Sequence, residues 1–89
     1  MKRVWKYPLP IQDYVQVPLP KGAKILCAKV QKGGLNLWAL VDSEEPETED
    51  VTIRIAGTDH PIEEPNLEYI DTVLMYQDTF VIHIFKVIK

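Results

Sequence analysis

Proline and glycine interrupt this chain too often for a long helix, and that spacing constrains the fold more than any other feature. Seven prolines and four glycines divide the 89 residues into short segments. None of these segments repeats apolar residues at the helical spacing of three and four. Most alternate apolar and polar residues, the period of a strand with one face in a core. The sequence therefore predicts an all-β fold in one domain over residues 1–89.

About seven mainly antiparallel strands are expected, in a small sandwich or a partly open barrel. The predicted strands are Arg3–Leu9, Tyr14–Leu19, Ala23–Lys32, Leu35–Asp42, a run that begins at Val51, Leu67–Gln77 and Thr79–Lys89. Gly33-Gly34 and Gln77-Asp78 are expected to form the turns of two hairpins. Pro8 and Pro10 predict an edge position for the first strand, because proline cannot donate to a ladder.

The last predicted strand is apolar on both faces. Phe80, Ile82 and Ile84 occupy one face, and Val81, Phe85 and Val87 the other. Such a strand is covered twice, either within its own chain or by a second chain. A domain of 89 residues offers few covering layers, so the pattern favours a subunit interface and a homo-oligomer.

Charge is distributed unevenly along the chain. Residues 1–34 carry seven Lys/Arg and one Asp, whereas residues 35–78 carry twelve Asp/Glu and only Arg54. The basic part can face phosphates or an acidic partner, or it can complement the acidic part within the assembly. The net charge of −3 argues against duplex nucleic acid as a partner.

The single cysteine, Cys27, cannot form an internal disulfide, which favours a reducing compartment. No signal peptide is visible after Met1, and no apolar run is long enough to span a membrane. A soluble protein of the cytoplasm, without membrane contact, is therefore expected.

No constellation of an active site is visible. His60 and His83 match no spacing of metal ligands, and His83 lies in an apolar strand, as a structural histidine would. Cys27 has apolar neighbours and is expected in the core, while Ser43 opens the acidic loop Ser43–Asp50. We therefore expect no enzyme, no metal and no cofactor.

Binding is better supported than catalysis. The aromatic side chains Trp5, Tyr7 and Trp38 can stack on a base, and Lys6 and Arg54 can donate to phosphate. Each of these residues also has an ordinary structural interpretation, as part of a core or as a solvated charge.

A corner follows the strand that begins at Val51. Gly57-Thr58-Asp59-His60-Pro61 places polar side chains and backbone N–H groups at a strand end, where ligands often bind. Glycine, aspartate and proline are also the ordinary residues of a turn, so the corner alone predicts either.

Six segments in this order resemble a widespread family of small phage-encoded proteins, mostly of unassigned function. They are VWKYPL (Val4–Leu9), LPKGAKIL (Leu19–Leu26), LWALVD (Leu37–Asp42), RIAGTDHPI (Arg54–Ile62), YIDTV (Tyr69–Val73) and FVIHIF (Phe80–Phe85). One departure is Asp59, where the family pattern usually has glycine. If that position needs a positive φ, Asp tolerates it better than most residues.

The resemblance implies a role similar to that of anti-CBASS and anti-Thoeris sponges, which bind a nucleotide signal of host defence and withhold it from its effector. The ligand would be a cyclic oligonucleotide or a cyclic ADP-ribose-like molecule. The positions that match the family pattern, and so the implied ligand-binding residues, are Trp5, Lys6, Tyr7, Trp38, Arg54, Gly57, Thr58 and His60. The alternative is a protein–protein inhibitor or accessory protein that acts through the apolar last strand or the acidic loop.

Overall fold

The computed structural model describes all 89 residues and consists of seven antiparallel strands without a helix. The strands are β1 (Lys2–Leu9), β2 (Tyr14–Pro20), β3 (Lys24–Gln31), β4 (Gly34–Asp42), β5 (Thr48–Gly57), β6 (Leu67–Met75) and β7 (Phe80–Val87). The prediction of an all-β fold with seven strands is confirmed. The fifth strand begins earlier than predicted, at Thr48, so the acidic loop is shorter than Ser43–Asp50.

The strands form two sheets. One has three strands in the order β1-β4-β3, and the other has four in the order β2-β5-β7-β6. Buried side chains of both sheets form a single core, so the two sheets make a sandwich. β1 lies at an edge, as its prolines predict.

The core follows from the alternation in the strands. In β4, Leu37, Ala39 and Val41 are fully buried, while Trp38 and Leu40 on the other face are half-buried. Val51, Ile53 and Ile55 of β5 also point into the core. β7 lies between β5 and β6, with Ile82 and Ile84 inside and its alternate residues half-buried on the outer face.

Two edge strands each contain a β-bulge. The pairing register shifts between Ile25 and Cys27 in β3 and between Tyr69 and Asp71 in β6. The first bulge interrupts the alternation, leaving Ala28 buried but Leu26 exposed. It also places Cys27 opposite Trp38, half-buried, so the prediction of a core cysteine is wrong.

The two hairpin turns differ from their predictions. In the first, Lys32 and Gly33 have φ of +51° and +79°, while Gly34 already belongs to β4. Two central residues with positive φ match the twist of a two-residue hairpin, so the turn lies one residue earlier than Gly33-Gly34. The second connection spans 76–79 rather than two residues, because β6 ends at Met75 and β7 begins at Phe80.

Candidate functional site

The eight predicted binding residues do not converge within one chain. Ladder partners share a face of a sheet, and side chains alternate along each strand. Lys6 is paired with Trp38, so these two lie on the same face, whereas Trp5 and Tyr7 are paired with Ala39 and Leu37 of the buried face. Trp5 and Trp38 therefore lie on opposite faces of the three-stranded sheet.

The outer face of this sheet is basic around one tryptophan. We call it the lysine face. The residues that the register places on it are Lys2, Val4, Lys6, Pro8, Lys24, Cys27, Lys29, Gln31, Asn36, Trp38 and Leu40. Asp42, opposite Lys2 at one end, bonds the terminal ammonium. The face is thus positively charged, with an apolar centre.

Two lysines of the lysine face are engaged and two are not. Lys6 Nζ donates to Gln31 Oε1 at 2.7 Å, a bond that crosses β4 between its two neighbouring strands. Lys29 Nζ lies 3.1 Å from Asp71 Oδ2. Lys2 and Lys24 are exposed and form no side-chain hydrogen bond, but Lys2 lies opposite Asp42 in the ladder, so Lys24 has the charge most available to an anion.

Gly57, Thr58 and His60 do lie together, at the corner after β5. His60 N donates to Gly57 O at 3.1 Å, which closes a turn, and Asp59 has a φ of +71°. This is the position where glycine is preferred in a type II turn, so the corner requires a positive φ at Asp59. The His60 ring packs on Gly57 so closely that a Cβ there would lie 2.8 Å from His60 Cε1.

The corner borders a shallow cavity of about 300 Å³, which Thr79, Phe80 and Val81 line on the other side. A smaller cavity of about 90 Å³ lies on the other side of His60, beside Ile11, Gln12 and Asp13. The corner therefore presents His60 and the Thr58 hydroxyl, both exposed, to an open surface.

Arg54 is buried under its own chain, in contrast to the other predicted charges. Its Nε donates to Glu64 Oε1 at 2.8 Å, and its terminal nitrogens donate to carbonyl oxygens of Ile55 at 2.6 Å and Pro61 at 3.0 Å. The guanidinium also lies 5.1 Å from the centre of the Tyr14 ring. These bonds hold the segment after the corner against the outer face of β5.

The same contacts shift two ionisable groups. The Tyr14 hydroxyl donates to Glu64 Oε1 at 2.5 Å, and this bond, with the nearby Arg54 charge, lowers the pKa of Glu64 below 4.5. The same carboxylate raises the pKa of Tyr14 above 10.0. Glu64 is therefore held as a carboxylate, and Arg54 is engaged by groups of its own chain.

A row of hydrogen bonds on the outer face of the four-stranded sheet was not among the sequence predictions. Thr58 Oγ1 bonds His83 Nε2 at 2.9 Å, and His83 Nδ1 bonds Thr72 Oγ1 at 3.2 Å. The Thr72 hydroxyl then bonds the Tyr69 hydroxyl at 2.7 Å, and the Tyr69 ring meets Phe85 edge-on. The alternation of β7 does place His83 on its outer face, but only the register shows which hydroxyls meet it.

Within the whole chain, no three His, Cys, Asp or Glu side chains cluster so as to hold a metal ion. Every buried side-chain nitrogen and oxygen has a hydrogen-bond partner. The fold holds no helix that could cross a membrane.

Comparison with known proteins gives one match. The model of a family described as a domain of unknown function (DUF7352) matches residues 1–89. No curated protein matches the chain. No solved structure matches it either.

Proposed function

We propose that this chain, which belongs to the family described as a domain of unknown function (DUF7352), is a non-catalytic protein that captures a nucleotide-type ligand on its lysine face. The observation that carries the proposal is the position of Trp38. It lies on the central strand β4 directly opposite Lys6 of β1, and Lys24 and Lys29 of β3 pair with the β4 residues two positions to either side of it. An aromatic platform edged by cations matches a base joined to phosphates.

Charge favours the lysine face over the corner for the phosphates. The corner contains Asp59, Asp13 lines the cavity beside His60, and Asp78 lies in the neighbouring 76–79 connection. An anion at the corner would meet these carboxylates, whereas on the lysine face Lys24 has no partner and the only partner of Lys6 is the uncharged amide of Gln31. The corner residues Thr58 and His60 stay a prediction, as contacts for the uncharged part of a ligand.

The proposed biological role, sequestration of a host signal, rests on the resemblance described in the sequence analysis. The similarity to small phage-encoded proteins supports a ligand that is a host defence signal, a cyclic oligonucleotide or a cyclic ADP-ribose-like molecule. Sequestration needs affinity without chemistry, which agrees with a site made of stacking and cationic groups. A homo-oligomer in the host cytoplasm is part of the proposal, since a second chain can bring its corner, with Thr58 and His60, to the lysine face.

Tryptophan fluorescence can test the proposal, because Trp5 and Trp38 lie on opposite faces of the three-stranded sheet and each reports on its own face. In a Trp5→Phe variant, Trp38 is the only indole, and a bound nucleotide should quench its fluorescence. In the matched Trp38→Phe variant, Trp5 is the only indole, and its emission should not change. A panel of cyclic dinucleotides and a cyclic ADP-ribose analogue is titrated into both variants.

The titration is completed by a charge variant and by ligand recovery. Lys6→Gln should weaken binding about tenfold, the loss expected when one bond to a charged group is removed. Heating should release the ligand unchanged. Quenching of both tryptophans alike, or no thermal shift with any nucleotide, would refute the proposal, and a converted product would indicate an enzyme.

A second candidate, a protein–protein inhibitor, rests on the uncovered outer face of β6 and β7. Leu74 is 51% exposed and Tyr69 is 60% exposed, beside half-buried Val81 and Phe85 of β7. Exposed apolar side chains side by side favour a protein partner. Leu74→Lys should abolish capture of a host protein by this face, while leaving quenching of Trp38 unchanged.

A further inference from the structure

A cleft separates the edges of the two sheets where β3 and β6 face each other. The main chains of these two strands do not pair, and the Asp71 carboxylate links them by accepting from Ala28 N at 3.2 Å. Both bulges lie here, and each adds a residue without a ladder partner, Leu26 in β3 and Ile70 in β6. A bulge bends its strand, so two facing bulges open the edge of the sandwich.

We propose that this cleft binds a small anionic ligand with an apolar body. The cavity has a volume of about 230 Å³. The lining residues that shape it are Lys24, Ile25, Leu26, Glu68, Ile70 and Lys86. The proposal does not depend on the proposed function, since neither Trp38 nor Lys6 lines the cleft and Lys24 alone belongs to both sites.

Apolar side chains of β3 and β6 form part of the wall of the cleft, although more of its exposed lining is polar than apolar. Ile25 and Ile70 pack against the core, and Leu26 is 46% exposed at the opening. A leucine this exposed leaves apolar surface in water, and a ligand that covers it gains free energy in proportion to the area removed from water. The body of the ligand is therefore apolar.

The rim of the cleft favours an anion. Lys24 comes from β3 and Lys86 from β7, and neither forms an ion pair. Glu68 is the one carboxylate of the lining, directly opposite Lys86 in the ladder, so the lining carries one net positive charge.

The size of the cleft limits the ligand. A volume of 230 Å³ corresponds to about eight water molecules at the volume of liquid water. That holds one ring or a short chain with its charged group, and it is too small for a dinucleotide. An aryl or alkyl phosphate or carboxylate fits the charge and the size.

Phenyl phosphate is the probe, and amide chemical shifts of the intact protein are the readout. The expected result is a saturable shift centred on the amides of Leu26 and Ile70. Benzyl alcohol, which lacks the charge, and inorganic phosphate, which lacks the ring, should each bind at least about tenfold more weakly.

Charge variants test the rim directly. Lys86→Gln and, separately, Lys24→Gln should each weaken phenyl phosphate about tenfold. Lys32→Gln, an exposed lysine without an ion pair in the turn after β3, is the matched control and should not change the affinity. Shifts centred elsewhere, equal binding of benzyl alcohol, or unchanged affinity in both rim variants would overturn the proposal.

Discussion

Replacing Arg54 by methionine should destabilise the fold more than any other single loss of charge in this chain. Methionine keeps much of the length of the side chain but none of its donors. The substitution removes the bonds to Glu64 and to the carbonyls of Ile55 and Pro61. It also leaves the Glu64 side chain, only 14% exposed, without its cation.

The magnitude follows from those contacts. Each neutral bond contributes about 1 kcal/mol net and the charged one about 2 kcal/mol, although bonds that share one side chain are not additive. Removing one partner of a buried ion pair typically costs about 3–5 kcal/mol. We therefore expect a loss of about 3 kcal/mol. A domain of this length has a total stability of roughly 4–13 kcal/mol, so the loss is a large fraction of it.

Urea unfolding followed by tryptophan fluorescence measures this loss. Arg3→Met is the matched control, because Arg3 is exposed at the edge strand and has no partner. Its free energy of unfolding should stay within about 0.5 kcal/mol of the parent value. The double variant Arg54→Met/Glu64→Gln should lose less than the sum of its two single variants, since both remove the same pair.

A loss below about 1 kcal/mol for Arg54→Met, comparable to an exposed ion pair, would contradict the reasoning. It would show that solvent replaces the donors of Arg54 without cost and that the segment after the corner is not held by them. Arg54 would then again be a free cation, available to a ligand.

Three further predictions concern the corner and its surroundings. Because the pKa of Glu64 is lowered in the folded state, the unfolded state takes up the proton of Glu64 first, and the stability of the protein should fall as the pH drops below 4.5. Glu64→Gln should reduce this fall, measured as the change of the urea midpoint with pH. The same pH dependence in both proteins would refute the prediction. Gly57→Ala should displace the exposed His60 ring, whose Cε1 would lie 2.8 Å from the new Cβ, at a cost of about 0.5 kcal/mol because that side chain can turn into solvent, and His60→Ala should remove this cost. Gly34→Ala, where the nearest atom lies at 3.9 Å, is the neutral control. Asp59→Gly should raise the melting temperature by about 3 °C, by removing a left-handed residue that is not glycine.

The fold was predictable because its signals are local. Alternation places Leu37, Ala39 and Val41 on one face whatever the rest of the chain does. The errors in the predicted strands and turns lie at positions where one extra residue shifts the alternation of a strand or the register of a turn. A bulge at Leu26 exposes a side chain that strict alternation would group with Ala28, and a turn that takes Lys32 in place of Gly34 shifts by one. No property of those residues alone encodes these choices, since they depend on how the paired strand twists.

The candidate site was less predictable because it depends on which outer face stays open. By residue chemistry, Arg54 and Lys6 were equal candidates for contact with a phosphate, since both are cations on strands. The ten residues after Arg54 decide between them, because that segment returns over β5 and supplies Glu64 and the Pro61 carbonyl. No returning segment covers Lys6, whose partner is the uncharged amide of Gln31. An anion can replace that amide at little cost, whereas at Arg54 it would have to displace a carboxylate and two carbonyls. The lysine face is therefore the better place to look for a ligand than the corner that the sequence emphasises.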